Sequence, residues 1–174
     1  MKCVRRENDQ AHRTHRNLVR ESGRTAMIGA LLLMPLFSCA GKRPTNIGIQ
    51  ASRLAACPSS PNCVSSDAAD SAHSIAAFTL AIPPGEAWPA LRRSVGGLRR
   101  TEIIAETSDY LHAECTSAVF GFVDDLELHL RSAEGLIAVR SASRLGYSDL
   151  GVNRRRIEDL RALLIKRGIV AALA

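Results

Sequence analysis

Side chains able to do chemistry are densest at 140–154, where Arg140, Ser143, Arg144, Asp149, Asn153 and Arg154 crowd together. A strand ending in two arginines, a glycine-containing loop and a helix opening at Asn153 would make an anion site. The guanidinium offers a two-pronged fork, and a helix N-terminus presents amides without partners. Asp124 and Asp125 lie close upstream, so Arg140, Ser143, Arg144, Asp149, Asn153, Asp124 and Asp125 form the candidate ligand-binding set. The competing reading is structural: the arginines pair with Asp124, Asp125 or Glu127 on the neighbouring strand, each exposed pair being worth about 1 kcal/mol or less.

Three other constellations point to enzymes. Asp124, Asp125 and Glu127 are clustered carboxylates, and crowding can raise one pKa for acid–base work, which would make a hydrolase or metalloenzyme. His112, Glu114, Glu127 and His129 share one face of a hairpin and have the donor types of a zinc site, yet they are also what any solvated sheet face carries. Ser65, Ser66 and His73 lack the strand–turn–helix elbow that a serine nucleophile needs. No catalytic residue, metal or cofactor is assigned on these grounds, and a binding role is favoured over an enzyme.

Five cysteines occur: Cys3, Cys39, Cys57, Cys63 and Cys115. Cys57 and Cys63 bracket a short segment holding two prolines, which reads as a disulfide in an oxidising compartment; free thiols or a metal are the alternatives. Cys115 alternates with Leu111 and Ala113 and reads as a buried free thiol.

The net charge of +6 is concentrated near the start of the chain, since residues 1–38 carry seven basic groups against three acidic ones. The remainder is nearly balanced, and only seven residues are aromatic, so nucleic-acid binding is disfavoured. Residues 26–38 form an uncharged apolar run of thirteen, too short for a membrane span of roughly 20 residues but suited to a signal-peptide core. That run stops at Leu36-Phe37-Ser38-Cys39-Ala40-Gly41, which resembles the bacterial lipobox, with Cys39 as the lipidated new N-terminus. The expected partner is then a lipid bilayer, reached through acyl chains on Cys39. Ala40 favours the outer membrane, facing the periplasm.

Several elements must position these residues. Residues 40–56 are small, polar or basic and read as a tether. Strand-like runs fall at 74–82, 101–106, 109–116, 124–131 and 136–142. Trp88, Leu91, Val95 and Leu98 recur at helical spacing, with Pro89 expected within the first turn. In the middle strands Leu111, Ala113, Cys115, Leu126, Leu128 and Leu130 share one face, while His112, Glu114, Glu127, His129 and Arg131 take the other, expected to be wet. Asn153 reads as an N-cap, Ile157, Leu160, Leu163 and Leu164 as an apolar stripe, and Gly168 as the position just past the helix. The order predicts an α+β fold: a single antiparallel sheet of about five strands with two helices packed on one face. The expected divisions are a lipoprotein signal peptide at 1–38, a tether at 39–56, the domain at 57–168 and a tail at 169–174.

The motifs Cys57-Pro58-x-Ser60-Pro61-Asn62-Cys63-Val64-Ser65-Ser66, Asp124-Asp125-x-Glu127 and Arg140-Ser141-Ala142-Ser143-Arg144-x-Gly146-x-x-Asp149-Leu150-Gly151-x-Asn153-Arg154 resemble the uncharacterised family called domain of unknown function 1499. The resemblance covers residues 54–168. It implies a shared fold and carries no activity or catalytic residues with it. The expected role is an envelope lipoprotein that binds a small anion or a partner protein through the arginine segment. A hydrolase or metalloenzyme, or a carrier of an apolar molecule, are the alternatives.

Overall fold

The computed structural model describes residues 41–173. The signal peptide expected at 1–38 and the lipidation expected at Cys39 lie outside those residues.

Alternating apolar residues build the sheet. Strands β5 (Thr101–Glu106), β6 (Tyr110–Thr116), β7 (Val123–Arg131) and β8 (Leu136–Ser143) pair antiparallel in sequence order. Two short strands, β3 (Cys63–Ser65) and β4 (Phe78–Thr79), pair antiparallel with different ends of β8, completing a six-stranded sheet. The α+β class stands. The strand β3 was not expected, because its three residues sit beside a proline-rich loop and are too few to show alternation.

Helices α1 (Pro84–Gly96) and α2 (Val152–Lys166) cover one face. Trp88, Leu91 and Val95 from α1 and Ile157, Leu160 and Leu164 from α2 meet Leu111, Ala113, Cys115, Leu126, Leu128, Ile137 and Val139 in one core. Leucines and isoleucines of this kind each contribute about 1.5–3 kcal/mol on burial. Helix α1 opens at Pro84, so Pro89 lies in its second turn rather than the first, where the ring forfeits an interior hydrogen bond. Helix α2 ends as its sequence indicates: Gly168 has φ +68, and the amides of Gly168 and Ile169 bond the carbonyls of Ile165 and Leu164.

The sheet's other face corrects the sequence reading. His112, Asp125, Glu127, His129 and Arg140 are all buried, and Glu127 is 0% exposed. The expected wet face is covered by the segment read as a tether. Within it β1 (Ile49–Gln50) and β2 (Arg53–Leu54) form a hairpin, and Leu54 and Ala55 are buried. The hairpin loop holds Ala51 and Ser52 at φ 47 and 63, the positive values that a two-residue type I′ turn requires. Residues 41–56 therefore pack on the domain, because their backbone amides and arginines find carboxylates on the sheet. The expected tail is also packed: Ile169 and Val170 are buried, and Val170 bridges to Leu80. A disulfide joins Cys57 and Cys63, while Cys115 is free and buried.

Candidate functional site

Strand parity divides the sequence-predicted residues between the two faces of the sheet. Asp124, Ser143 and Asn153 belong to the helix side; Asp125, Arg140 and Arg144 belong to the hairpin side.

On the hairpin side two charge networks lie side by side. In the first, the Glu127 carboxylate accepts from Arg140 Nη1 at 2.6 Å, Tyr110 Oη at 2.8 Å and the Gly48 amide at 2.6 Å. Glu127 and Arg140 stand directly opposite each other in the register of β7 and β8, so the sequence alternation itself makes the pair. Burial, then the neighbouring Glu127 charge, push the Tyr110 hydroxyl well above its ordinary value, so it stays protonated and donates. Among the described residues, Arg140 Nε is the one buried side-chain nitrogen or oxygen without a hydrogen-bond partner.

The second network is a chain of alternating charge. Arg43 donates to Glu114 at 2.7 Å, Arg144 bonds both Glu114 (2.6 Å) and Asp125 (2.9 and 2.6 Å), and His112 Nε2 lies 2.7 Å from Asp125. Burial acts to raise the Asp125 carboxyl, but Arg144 and His112 outweigh it and hold the group below the usual carboxylate range. Glu114 behaves likewise, with Arg144 and Arg43 overcoming its burial. The bonds to Asp125 in turn push the Arg144 guanidinium up against the effect of its own burial.

A fourth carboxylate fastens the hairpin at its far edge. Asp67 accepts from Arg131 at 2.5 Å, from Arg53 at 3.3 Å and from the Leu54 amide at 2.9 Å. His129 lies beside Arg131, and burial followed by that positive charge keeps its imidazole below the ordinary histidine value.

The helix side carries a separate polar cluster at the start of α2. Arg156 bonds Asp124 (2.5 Å), Asn153 (2.5 Å) and Ser141 (2.9 Å), and Asn153 also donates to Ser143 and to the carbonyl of Asn62. Asn153 is therefore not the N-cap. Gly151 holds that position at φ 78, and Asp149 accepts from the amides of Gly151 (2.9 Å) and Asn153 (2.7 Å). Asn153, fully buried, instead stitches β3, β8 and α2 together.

This geometry bears on each expected chemistry. The two arginines proposed to frame an anion point away from the helix N-terminus and are bonded to carboxylates. Asp124 and Asp125 lie on opposite faces, so they form no dyad, and Asp125 is held ionised rather than raised. His73 sits between Asp70 (2.8 Å) and the Ser60 carbonyl (3.2 Å), away from the hydroxyls of Ser65 and Ser66, which accept from the amides of Asp67 and Val139. Among the described residues no group of three or more His, Cys, Asp or Glu side chains is placed to hold a metal ion. Two shallow, open concavities of about 300 and 330 Å³ flank β5 at the sheet edge, lined by residues such as Arg92 and Glu106 or Arg100 and Glu102. The first opens between α1 and the edge strand β5, with the charged Arg92 and Glu106 in its lining.

Sequence reasoning missed Asp67, Tyr110, Gly48, Arg43 and Arg156 as members of these networks. The run Arg154-Arg155-Arg156 was visible, but which of its members turns inward depends on where α2 begins.

The family model described as Protein of unknown function (DUF1499) matches residues 53–164. No curated protein and no solved structure matches the chain.

Proposed function

We propose, since the chain belongs to the DUF1499 family and that membership assigns no activity, that it is a membrane-anchored envelope lipoprotein which works by surface contact. Its charged motif is a structural clasp. The observation carrying this reading is that Arg140, Arg144 and Arg156 each bind a carboxylate of β6 or β7, at 2.5–2.6 Å for the shortest bonds. The hairpin-side network extends through Arg43 and Gly48 to the segment that follows Cys39. The motif thus fixes the domain to the piece of chain nearest the anchor, and leaves its guanidinium groups little capacity for a ligand.

The apolar run at 26–38 ending in Ser38-Cys39-Ala40 supports the anchor, and the residue after Cys39 supports the outer membrane, facing the periplasm. Intact mass of the membrane-extracted protein tests it: the cleaved end should carry a diacylglyceryl thioether on Cys39. A Cys39→Ser form still held in membranes after cleavage would refute it. The clasp is tested by thermal melts of wild type and Arg144→Gln in sulfate, phosphate and ionic-strength-matched chloride. A clasp gives a lower melting temperature for Arg144→Gln with equal anion responses in both proteins. An anion site gives an anion-dependent rise in wild type alone.

A further inference from the structure

The sheet has two ends, and they differ in surface chemistry. At one end lie the β6–β7 loop (117–122) and the β8–α2 loop (144–151), joined by the bond from the Arg144 amide to the Val123 carbonyl. The β6–β7 loop reads Ser-Ala-Val-Phe-Gly-Phe, where loop tips ordinarily carry polar residues. Of the eight large hydrophobic side chains exposed among the described residues, six belong to this end: Val119, Phe120, Phe122, Tyr147, Leu150 and Val152. Phe120, Tyr147 and Leu150 are 67, 76 and 84% exposed, and the Phe120 and Phe122 rings meet in a tilted pair with centroids 5.7 Å apart. No core contact explains them, and clustered apolar exposure of this kind marks a contact surface.

Two further observations identify what the surface meets. The described chain begins at this same end: a Cβ added at Gly41 would touch Arg144 Cβ at 3.0 Å and Leu145 Cγ at 3.1 Å. Cys39 is two residues earlier, and two residues of chain span at most ~7 Å. Any acyl group on Cys39 is therefore delivered beside these loops, and the segment after Gly41 is clamped to the sheet, so little slack lifts the domain away. Charge agrees. Lys42, Arg100 and Arg155 border the patch, Arg100 through its bonds with Thr116 and Arg155 through its bond to the Leu150 carbonyl. Most acids of this end are occupied, Glu114 and Asp125 by Arg144, Asp124 by Arg156, and Asp149 by the amides opening α2, while Glu102 stays exposed on β5 opposite Glu114.

We infer that the two loops form a bilayer-docking surface, with Phe120, Phe122, Tyr147 and Leu150 set into the headgroup and upper acyl region and the bordering cations facing anionic headgroups. This rests on the anchoring at Cys39 and goes beyond it, because it orients the domain and makes the fold itself a lipid-binding element. Apolar side chains at such depth, about 5–10 Å, combined with cations at the surface are a general mode of interfacial binding.

The test uses the full protein extracted with its own anchor and reconstituted in phosphatidylethanolamine–phosphatidylglycerol vesicles with brominated acyl chains, which quench tryptophan on contact. The native Trp88, buried on the inner side of α1, supplies the background. Phe120→Trp and Leu150→Trp should shift their emission to the blue and lose most of it to the bromolipid. Ala133→Trp, on the exposed turn between β7 and β8 at the opposite end, should do neither. Full emission from Phe120→Trp and Leu150→Trp in protein that floats with the vesicles overturns the docking surface while leaving the anchor intact. Should that unquenched protein also sediment as a dimer, the patch meets a second copy of the chain instead. Protein that fails to float overturns the anchor, and the orientation with it.

Discussion

Replacing Arg140 by leucine tests the clasp where its energy is greatest. Arg140 and Glu127 are 4% and 0% exposed at the side chain, so water screens neither. With charge centres about 4 Å apart and an effective dielectric constant near 20, their attraction is ~4 kcal/mol. Removing one member of a buried pair costs about 3–5 kcal/mol, because the surviving charge keeps its desolvation penalty. Arg140→Leu leaves Glu127 with only the Gly48 amide and the Tyr110 hydroxyl as donors. For a domain of this size each kcal/mol shifts the melting temperature by about 3–5 °C, so the drop should be about 10–20 °C. The Glu127→Leu partner loses those two donors' acceptor as well, and the double variant should fall short of the summed single losses by about 2 kcal/mol. Urea unfolding followed by circular dichroism gives the free energies, and hydrogen exchange at the Gly48 amide reports locally, quickening when Glu127 is gone. A loss under about 1 kcal/mol for Arg140→Leu, the value of an exposed pair, would refute the clasp; so would strict additivity of the cycle.

Acid should weaken the protein in two stages. His129 is held below its ordinary value, so the unfolded chain takes up that proton first and stability begins to fall below about pH 6.5. Asp125 and Glu114 are also held low; their contribution is intact above about pH 4 and is lost as the pH drops from there through their folded values. His129→Gln should abolish the upper stage alone, and a melting temperature constant from pH 7 to about 3 would contradict both assignments. The Cys57–Cys63 bridge closes a short loop and should be worth about 2 kcal/mol. Non-reducing peptide mapping should recover the two cysteines linked, whereas ready alkylation of both in folded protein would rule the bridge out.

What the sequence could reveal was set by periodicity. Leu111, Ala113, Leu126 and Leu128 alternate cleanly because one side of the sheet is packed by helices, and that pattern identified the core face, while the helical spacing of Trp88, Leu91 and Val95 and of Ile157, Leu160 and Leu164 identified both helices. The same alternation was misleading on the other side. Charged residues at every second position look alike whether water or a second layer covers them, so Glu127 and His112 read as solvated. Their cover was hidden for a reason of its own: the β1–β2 hairpin turns on Ala51 and Ser52, without the Asn-Gly pair that flags such a turn, and its strands are two residues each. Pairing of Arg140 with Glu127 was legible from strand register, and the sequence offered it beside the anion site. Asn153 misled because an Asx side chain near a helix start usually caps it, but Gly151 in the left-handed region moved that role back to Asp149.

The order in which the strands close also shapes how the chain acquires its structure. The bond between Gly48 and Glu127 spans 79 residues, and that between Asn62 and Asn153 spans 91. Strand β3 has its pairing partner only when β8 exists. In a chain growing from its N-terminus, Gly48 therefore meets its acceptor only after residue 127 has been made, and β3 meets its partner strand only after β8. Closing loops of that length before any reward is collected makes folding slow. The sheet's hairpin-side cover is thus the last layer to close, after the meander of β5 to β8 that it packs against.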